Sequence, residues 1–387
     1  MQEEIYFDNS ATTKPFPEVV EVMCNELKNT YGNPSALHKL GIDAERVLKK
    51  SRQDIANTLN VKPQEIIFTS GGTESNNFAI RGYLDRNKGN HIITTKIEHP
   101  SVLKVFEYLE TKGYKVDYID VLENGKIDLN DLKSKINDET CLISVMYVNN
   151  ETGAVQPIKE IIDIKNLKKP SIKVHVDAVQ AYGKIIIDLS KLKIDLMSIS
   201  AHKIHGPKGV GCIFIRDGVR LNPIMIGGGQ ENYFRSGTEN VPSIAGFAKA
   251  AVMIHENIKE NYDKLCDLKR VFLDELSKTD IEYEVVSPKD GLPYILNIAF
   301  KNTKSEVMLH HLEQKNVYVS TGSACSQRRK KFSHVLVAMG KKNEIIDSAI
   351  RFSFSHKNTK NEVIKVIEYI KDIIPRIYIK SRRSGKR

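Results

Sequence analysis

The sequence is short of the features that mark secreted, metal-bound or membrane-spanning chains. Its five cysteines, Cys24, Cys141, Cys212, Cys266 and Cys325, are odd in number, scattered, and form no Cys-x-x-Cys pair. That argues against a disulfide framework or a zinc site. No metal is expected. No apolar run approaches the ~18 residues that a membrane span needs. The start, Met1-Gln2-Glu3-Glu4, is acidic and leads straight into a strand, so no signal peptide and a cytoplasmic location are expected. There is no internal repeat, zinc finger, RNA-recognition motif or repeated basic–aromatic pattern, so no direct nucleic-acid module is expected.

What is present is the composition of a globular chain, 41% hydrophobic and 27% charged. Its 387 residues suffice for a large core and two domains. Formal net charge is +10; five of those charges sit in residues 380–387, which leaves +5 for the rest. A basic tail of this kind is ordinarily a solvated end. Contact with an acidic partner or with tRNA is the sharper reading.

Strand-like runs recur at Ile66–Phe68, Ile92–Thr94, Val116–Ile119, Leu142–Val145, Val174–Val176, Leu196–Ile199 and Gly211–Ile215. Most are separated by helix-like segments, the pattern of a largely parallel sheet wrapped by helices. Earlier, Pro17 suits the first turn of a helix reaching about Lys28, and a second helix is expected over about 42–59. After the sheet, a single long helical run from Pro242 to about Leu276 is expected to link two domains. The remainder, strand 295–300, a helix from Ser305, strand-loop 317–325, a short helix at 334–339, strand 350–354 and a last helix at 359–378, reads as α+β.

Ligands of such sheets sit beyond the carboxyl ends of the strands, and Thr73, His99, Asn150, Asp177 and Lys203 all follow strand-like runs. Lys203 stands between Ser198-Ile199-Ser200-Ala201-His202 and the rigid turn Gly206-Pro207-Lys208-Gly209. With 58 Lys and Arg in the chain, a single lysine is by default solvated. Its surroundings change that. Desolvation and nearby cations lower a lysine's pKa, and the free amine can form a Schiff base. Asp177 ends the apolar run Val174-His175-Val176, with Gln180 three residues on. Phe68-Thr69-Ser70-Gly71-Gly72-Thr73 reads as a strand entering a Gly-rich turn and a helix start, a plausible phosphate cradle with Ser200 and His202. A carboxylate for a pyridine nitrogen, a hydrogen bond from Gln180 to a phenolic oxygen, a His99 ring over the face and a Schiff-base lysine are together what pyridoxal phosphate needs.

The chain resembles the NifS/IscS-type cysteine desulfurases, in the class V aminotransferase group of fold-type I pyridoxal phosphate enzymes. The motifs that carry the resemblance are Gly71-Gly72-Thr73-Glu74-Ser75-Asn76-Asn77, Glu98-His99, Val148-Asn149-Asn150-Glu151-Thr152-Gly153, His175-Val176-Asp177-Ala178-Val179-Gln180, Ser200-Ala201-His202-Lys203, Arg235-Ser236-Gly237-Thr238-Glu239-Asn240 and Gly322-Ser323-Ala324-Cys325. It implies an α/β fold: a large domain with a mainly parallel seven-stranded sheet plus a smaller α+β C-terminal domain. The expected limits are an N-terminal arm at 1–15, a cofactor-binding domain at 16–255 (with 16–30 placed against it or against the small domain), a small domain at 256–379, and the tail.

The resemblance also implies roles. Lys203 would carry the cofactor as a Schiff base and move protons. Asp177 would pair with the pyridine nitrogen, Gln180 with the phenolic oxygen, and His99 would stack on the ring and assist protonation. Gly72, Thr73, Ser200 and His202 would hold the phosphate, and Thr238 would reach the phosphate of a neighbouring subunit, which implies a homodimer. Asn150 would touch cofactor and substrate. Cys325 would be the nucleophile that takes sulfur from L-cysteine as a persulfide, its thiolate favoured by Arg328, Arg329, Lys330 and Lys331. The acceptor would be an iron–sulfur scaffold or a tRNA-thiolating enzyme. A class V aminotransferase, a selenocysteine lyase and a non-catalytic cofactor-binding protein are the alternatives.

One departure stands out. Many members carry an Arg in a Ser-Leu-Gly-Arg run for the substrate carboxylate, and His356 stands there here. A mostly neutral imidazole gives no always-charged fork. With Arg351, Lys357 or Asn150 contributing instead, weaker or more pH-sensitive cysteine binding is expected.

Overall fold

Strands buried on both faces need apolar runs, and the sequence supplies seven. The computed structural model of the chain describes residues 4–87, 89–321 and 332–379. Cys325 and the tail 380–387 lie outside the described residues.

The chain begins with β1 (Ile5–Tyr6), α1 (Pro17–Asn29) and α2 (Lys39–Leu59). Pro17 fills the first turn of α1, where its missing N–H costs nothing. Left-handed Asn60 ends α2. Next come β2 (Ile66–Thr69), α3 (Gly72–Asn77), a π-helical turn at Phe78–Gly82 and α4 (Tyr83–Arg86). The alternation continues with β3 (His91–Thr95), α5 (Pro100–Thr111), β4 (Lys115–Ile119), α6 (Leu129–Lys135), β5 (Thr140–Met146), α7 (Ile158–Lys168) and β6 (Lys173–Asp177). Then β7 (Leu196–Ser200) and β8 (Gly211–Ile215) complete a seven-stranded sheet of order β2-β8-β7-β6-β5-β3-β4. Only β8 runs antiparallel to its neighbours. Central β5 is buried throughout, whereas β4, at the edge, is mostly part-exposed and carries Lys115 and Asp117. Charge on an edge strand discourages pairing with another sheet.

The expected single helix over 242–276 is two helices, α8 (Val241–Glu256) and α9 (Ile258–Ser277). The break is at Asn257, whose side-chain amide donates to the Met253 carbonyl. Asn competes with the helix by bonding its own backbone. The segments also differ in kind: α8 is apolar almost all round, α9 is amphipathic. Beyond them lie β9 (Tyr283–Val285), β10 (Ile295–Phe300), α10 (Ser305–Glu313), β11 (Val317–Tyr318), β12 (Ser320–Thr321), α11 (His334–Ala338), α12 (Asn343–Ser348), β13 (Ala349–Ser353) and α13 (Lys360–Ile377). Of these, β9 and α12 carried no signal that was read from the sequence. A four-stranded antiparallel sheet, β12-β13-β10-β9, holds this part together. Thr359 and Glu362 form a capping box that starts α13.

Strand β1 pairs in parallel with β11, so the N-terminal segment is tied to the C-terminal elements. One apolar cluster runs from Ile5 to Ile374 and joins the two sheets. Among the described residues, no helix is long and apolar enough to cross a membrane.

The segment leading to Thr238 is held by a buried ion pair. Arg52 donates to both Glu231 carboxylate oxygens, at 2.6 and 2.7 Å, and the Phe68 N–H donates to the same group at 2.9 Å. Glu231, Asn232 and Tyr233 all have positive φ (48°, 55° and 67°), an unfavourable backbone for side-chain-bearing residues. Removing one partner strands a buried charge. Arg52→Met is therefore expected to lower stability by about 3–5 kcal/mol in denaturant unfolding. Arg52→Met/Glu231→Leu should recover much of it, because both charges leave together. A single-variant loss below about 1 kcal/mol, the scale of a solvated pair, would refute this.

Candidate active site

Strands β2, β3, β5, β6 and β7 point their carboxyl ends to one edge of the sheet, and a cavity of about 730 Å³ opens there. Each strand end delivers a side chain. Downstream of β2, Gly72 and Thr73 line the cavity at the start of the α3 helical run. The first-turn N–H groups of that run have no partner within the helix. Gly71 has φ 146°, and a Cβ on Gly72 would stand 2.8 Å from Val179 Cγ2, so the turn has no room for a side chain. Ser200 ends β7 and His202 follows; both line the same end of the chain's path and the same cavity. Burial, then the Lys203 and Lys208 charges, pull His202 down to about 4, so its ring is neutral at pH 7.

Asp177, the last residue of β6, is fixed by two donors: Val179 N–H at 3.0 Å and the Asn76 amide at 2.8 Å. Asn76 is fully buried and also donates to the Ser101 hydroxyl at 2.8 Å. Its role was not read from the sequence, although a fully polar first turn after a Gly-rich turn was the available signal.

His99 caps α5, its Nδ1 accepting from the Ser101 N–H at 3.1 Å. A ring whose Nδ1 accepts carries its proton on Nε2 when neutral, and burial pulls His99 below its ordinary value. Beside it, burial pushes Glu98 up to about 8. One Glu98 oxygen accepts from the Thr95 hydroxyl and the Met146 N–H; the other has no partner among the described residues.

Lys203 lies in the 3-10 turn Ala201–Lys203, and its Nζ donates to the Ser10 carbonyl at 2.5 Å and the Ala11 carbonyl at 2.7 Å. Gln180 donates to the Ser10 carbonyl as well, at 2.9 Å. The N-terminal segment thus forms one wall of the cavity, which sequence reasoning missed. Its polar turn carries no chemistry; its backbone carbonyls do the work.

Asn150 follows β5 and lines the cavity, and its carbonyl accepts from Arg351 at 3.0 Å. Arg351, on β13, also pairs with Asp8 at 2.9 Å. Its Nε–H is buried without a partner among the described residues. His356 is a correction to the sequence reading. It does not line the cavity. Its ring packs against His205 (5.2 Å between centroids) and Phe16 (5.6 Å), and burial with the His205 and Lys357 charges holds it near 3. It is neutral at working pH. Of the residues named from the sequence for the substrate, Asn150 and Arg351 line the cavity, the latter because the alternation along β13 presents it there. The lining also includes Glu151, which burial pushes up to about 7 and which accepts from the Ser333 hydroxyl.

Thr238 is exposed and outside this chain's own cavity. Its segment is pinned to α3 by Arg235, which donates to Glu74 at 2.9 Å. Cys325 lies outside the described residues. Among the described residues no cluster of His, Cys, Asp or Glu could hold a metal ion.

The chain matches the family model for aminotransferase class-V over residues 5–366. The chain belongs to that family. Cysteine desulfurase IscS of Clostridium botulinum is 40% identical over 99% of this chain and 96% of the relative. Cysteine desulfurase IscS of Methanosarcina thermophila is 41% identical over 96% of this chain and 92% of its own length. Among solved structures, a NifS-like protein superposes with a TM-score of 0.91 at 38% identity, covering 96% of this chain and all of that one. A structure described as SspA in complex with cysteine gives 0.81 at 32% identity, over 92% of this chain and 100% of the other.

Class-V enzymes of the desulfurase kind depend on pyridoxal phosphate, and the cavity fits that group. A turn too tight for side chains and free helix N–H groups suit its phosphate, the Asp177 carboxylate its pyridinium, and Lys203 its aldehyde. The Arg351 Nε–H, buried in the wall with no partner among the described residues, suits a carboxylate.

Glu98 gives the site a pH signature. Its carboxyl titrates near 4.5 when unfolded and near 8 when folded, so the folded state keeps a proton that the unfolded state loses between these values. Its stabilisation is complete below about pH 4.5 and lost as pH rises through about 8. Melting temperatures measured from pH 5 to 8 should fall more steeply for the wild type than for Glu98→Gln. Parallel curves would rule out a neutral Glu98.

Proposed function

We propose that this chain is a pyridoxal phosphate-dependent L-cysteine desulfurase. The observation that carries the reading is the convergence of Lys203, Asp177 and Arg351 on one cavity, at the ends of β7 and β6 and from β13. Bound there, pyridoxal phosphate supplies an electron sink for the pair left when a proton leaves the substrate Cα. The chain's residues do the rest. Asp177, steadied by Asn76 and Val179 N–H, keeps the pyridine nitrogen protonated. Lys203 would hold the aldehyde carbon and move the Cα proton. His99, neutral and protonated on Nε2, would serve the ring as a local proton donor. Gly72, Thr73, Ser200 and His202 would hold the phosphate, Gln180 the phenolic oxygen, and Asn150 with Arg351 the substrate.

Cys325 is proposed as the sulfur acceptor. Its thiolate attacks the substrate sulfur as the carbon–sulfur bond breaks, so L-cysteine and the thiol become L-alanine and a persulfide without an outside oxidant. The persulfide sulfur then passes to an iron–sulfur scaffold or a tRNA-thiolating enzyme in the cytoplasm. A homodimer fits the exposed Thr238 on its pinned segment, and the exposed Ile226 and Tyr233 nearby suit burial against a second copy. The Asn257 break is the proposed boundary between a cofactor-binding unit at 16–255 and a smaller one at 256–379.

Purified protein should show the visible band of the bound cofactor and release alanine and sulfide from L-cysteine. Lys203→Ala should abolish alanine release, and Cys325→Ser should abolish sulfide release. Turnover indifferent to Cys325 would favour an aminotransferase, and a strong preference for selenocysteine a lyase.

Arg351→Met should raise the Michaelis constant for cysteine by roughly 30-fold or more, the scale of losing a buried charge-assisted contact. His356→Gln should leave it within about twofold, and between about pH 6 and 8, across an ordinary histidine titration, it should not follow an imidazole curve. A His356-dependent Michaelis constant would return the clamp to His356.

A further inference from the structure

Lys184 is a buried cationic side chain with no role in the mechanism above. It is 6% exposed and does not line the cavity. Burying an amine is costly, so the one side-chain hydrogen bond it makes among the described residues is informative. Its Nζ donates to Gln180 Oε1 at 2.7 Å. The same Nζ lies 5.9 Å from the centroid of the Tyr294 ring.

The backbone leaves Lys184 little choice of position. Gly183 turns the chain with φ 73°, and a Cβ there would come within 2.7 Å of Ile204 and 2.8 Å of Ile254. Lys184 N–H closes the turn on the Ala181 carbonyl at 3.0 Å. The side chain is thereby folded back over Gln180, four residues earlier.

The two partners of Gln180 dictate which way its amide faces. An ammonium can only donate, so it must meet Oε1. The Ser10 carbonyl can only accept, so the group 2.9 Å from it must be Nε2. Gln180 lines the cavity, and the N–H that Ser10 does not take is the amide's remaining donor. Ser10 and Lys184 thus hold one orientation from the two ends of the amide; without Lys184 the Ser10 carbonyl is left to oppose the opposite rotamer, which would put a carbonyl oxygen where a donor now stands.

We propose that Lys184 is a positioning residue for the cofactor: it locks the Gln180 amide so that Nε2–H, not the carbonyl, meets the ring's phenolic oxygen. This rests on the reading that the cavity holds pyridoxal phosphate with that oxygen at Gln180. Burial, with the Lys203 and Arg351 charges, pulls Lys184 down to about 7, and the lock is strongest where the group is an ammonium that can only donate. A donor at the phenolic oxygen stabilises its negative charge and lowers the pH at which the bound cofactor's visible band changes.

The test uses the full-chain holoprotein and reads two quantities other than turnover: the dissociation constant of pyridoxal phosphate and the pH midpoint of its band. Lys184→Met should weaken the cofactor by about tenfold, the scale of one well-placed hydrogen bond, and raise the midpoint. Lys184→Gln, which keeps a donor for Oε1 without the charge, should stay within about threefold. In a Gln180→Met background, Lys184→Met should change neither quantity further, because coupled residues are not additive. The proposal is overturned if Lys184→Met moves neither quantity, or moves both equally with Gln180 already removed. Should Lys184→Met not fold, a tenfold loss in Lys184→Gln overturns it too. A wild type with no bound cofactor would instead defeat the functional reading itself.

Discussion

Desolvation at the carboxyl edge of the sheet governs this molecule. The cavity wall and its backing carry Lys184, Arg351, Asp177, Glu98 and Glu151 within a protein interior that disfavours charge. Each of these groups meets that constraint in one of two ways. Asp177 and Arg351 have close donors or a counter-ion. Glu98 and Glu151 are pushed toward their neutral forms, as are His202 and Lys184 from the other side. The result at the strand ends is an anion at β6, with cations at β7 and β13.

Keeping those few charges in place requires segments far apart in sequence. The N-terminal segment leaves the β1–β11 pair, offers Asp8 to Arg351 and then the Ser10 and Ala11 carbonyls to Lys203. Thr13 closes the same path, its backbone N–H donating to the His202 carbonyl at 2.9 Å. Arg351 in turn donates to the Asn150 carbonyl. The lysine, the arginine and the post-β5 loop are thus oriented by one continuous set of polar contacts. Such networks act cooperatively in a low-dielectric interior, and each member is costly to remove.

Much of this was legible in the sequence. Apolar runs marked every strand of the seven-stranded sheet, and residues placed just past those runs line the cavity. Periodicity sees side chains, so it found Thr73, His99, Asp177 and Lys203. It was blind to what the backbone contributes, hence the silence over Ser10 and Ala11. It was blind also to residues defined by what they touch across the fold, such as Asn76 and Lys184. The break at Asn257 escaped it because apolar spacing runs through both helices, while the competing side-chain bond to Met253 is local and polar.

Arg351 and His356, both named from the sequence for the substrate carboxylate, show how a motif and a fold select residues differently. A motif aligns residues along the chain, whereas a binding site selects them by the face of a strand. Successive side chains on β13 alternate between faces, and Arg351 presents to the cavity while Ile350 and Phe352 enter the apolar core. His356 lies three residues beyond the strand, in the turn before α13, where Phe354 has already drawn the chain against Phe7 at 5.0 Å. From there its ring falls against Phe16 and His205, and burial keeps it neutral. A position that can hold an uncharged ring against two others is poorly suited to carry the fixed charge a carboxylate needs. The departure from the Ser-Leu-Gly-Arg pattern therefore falls on a packing position, whereas the charge that lines the cavity from this part of the chain is Arg351, on the strand.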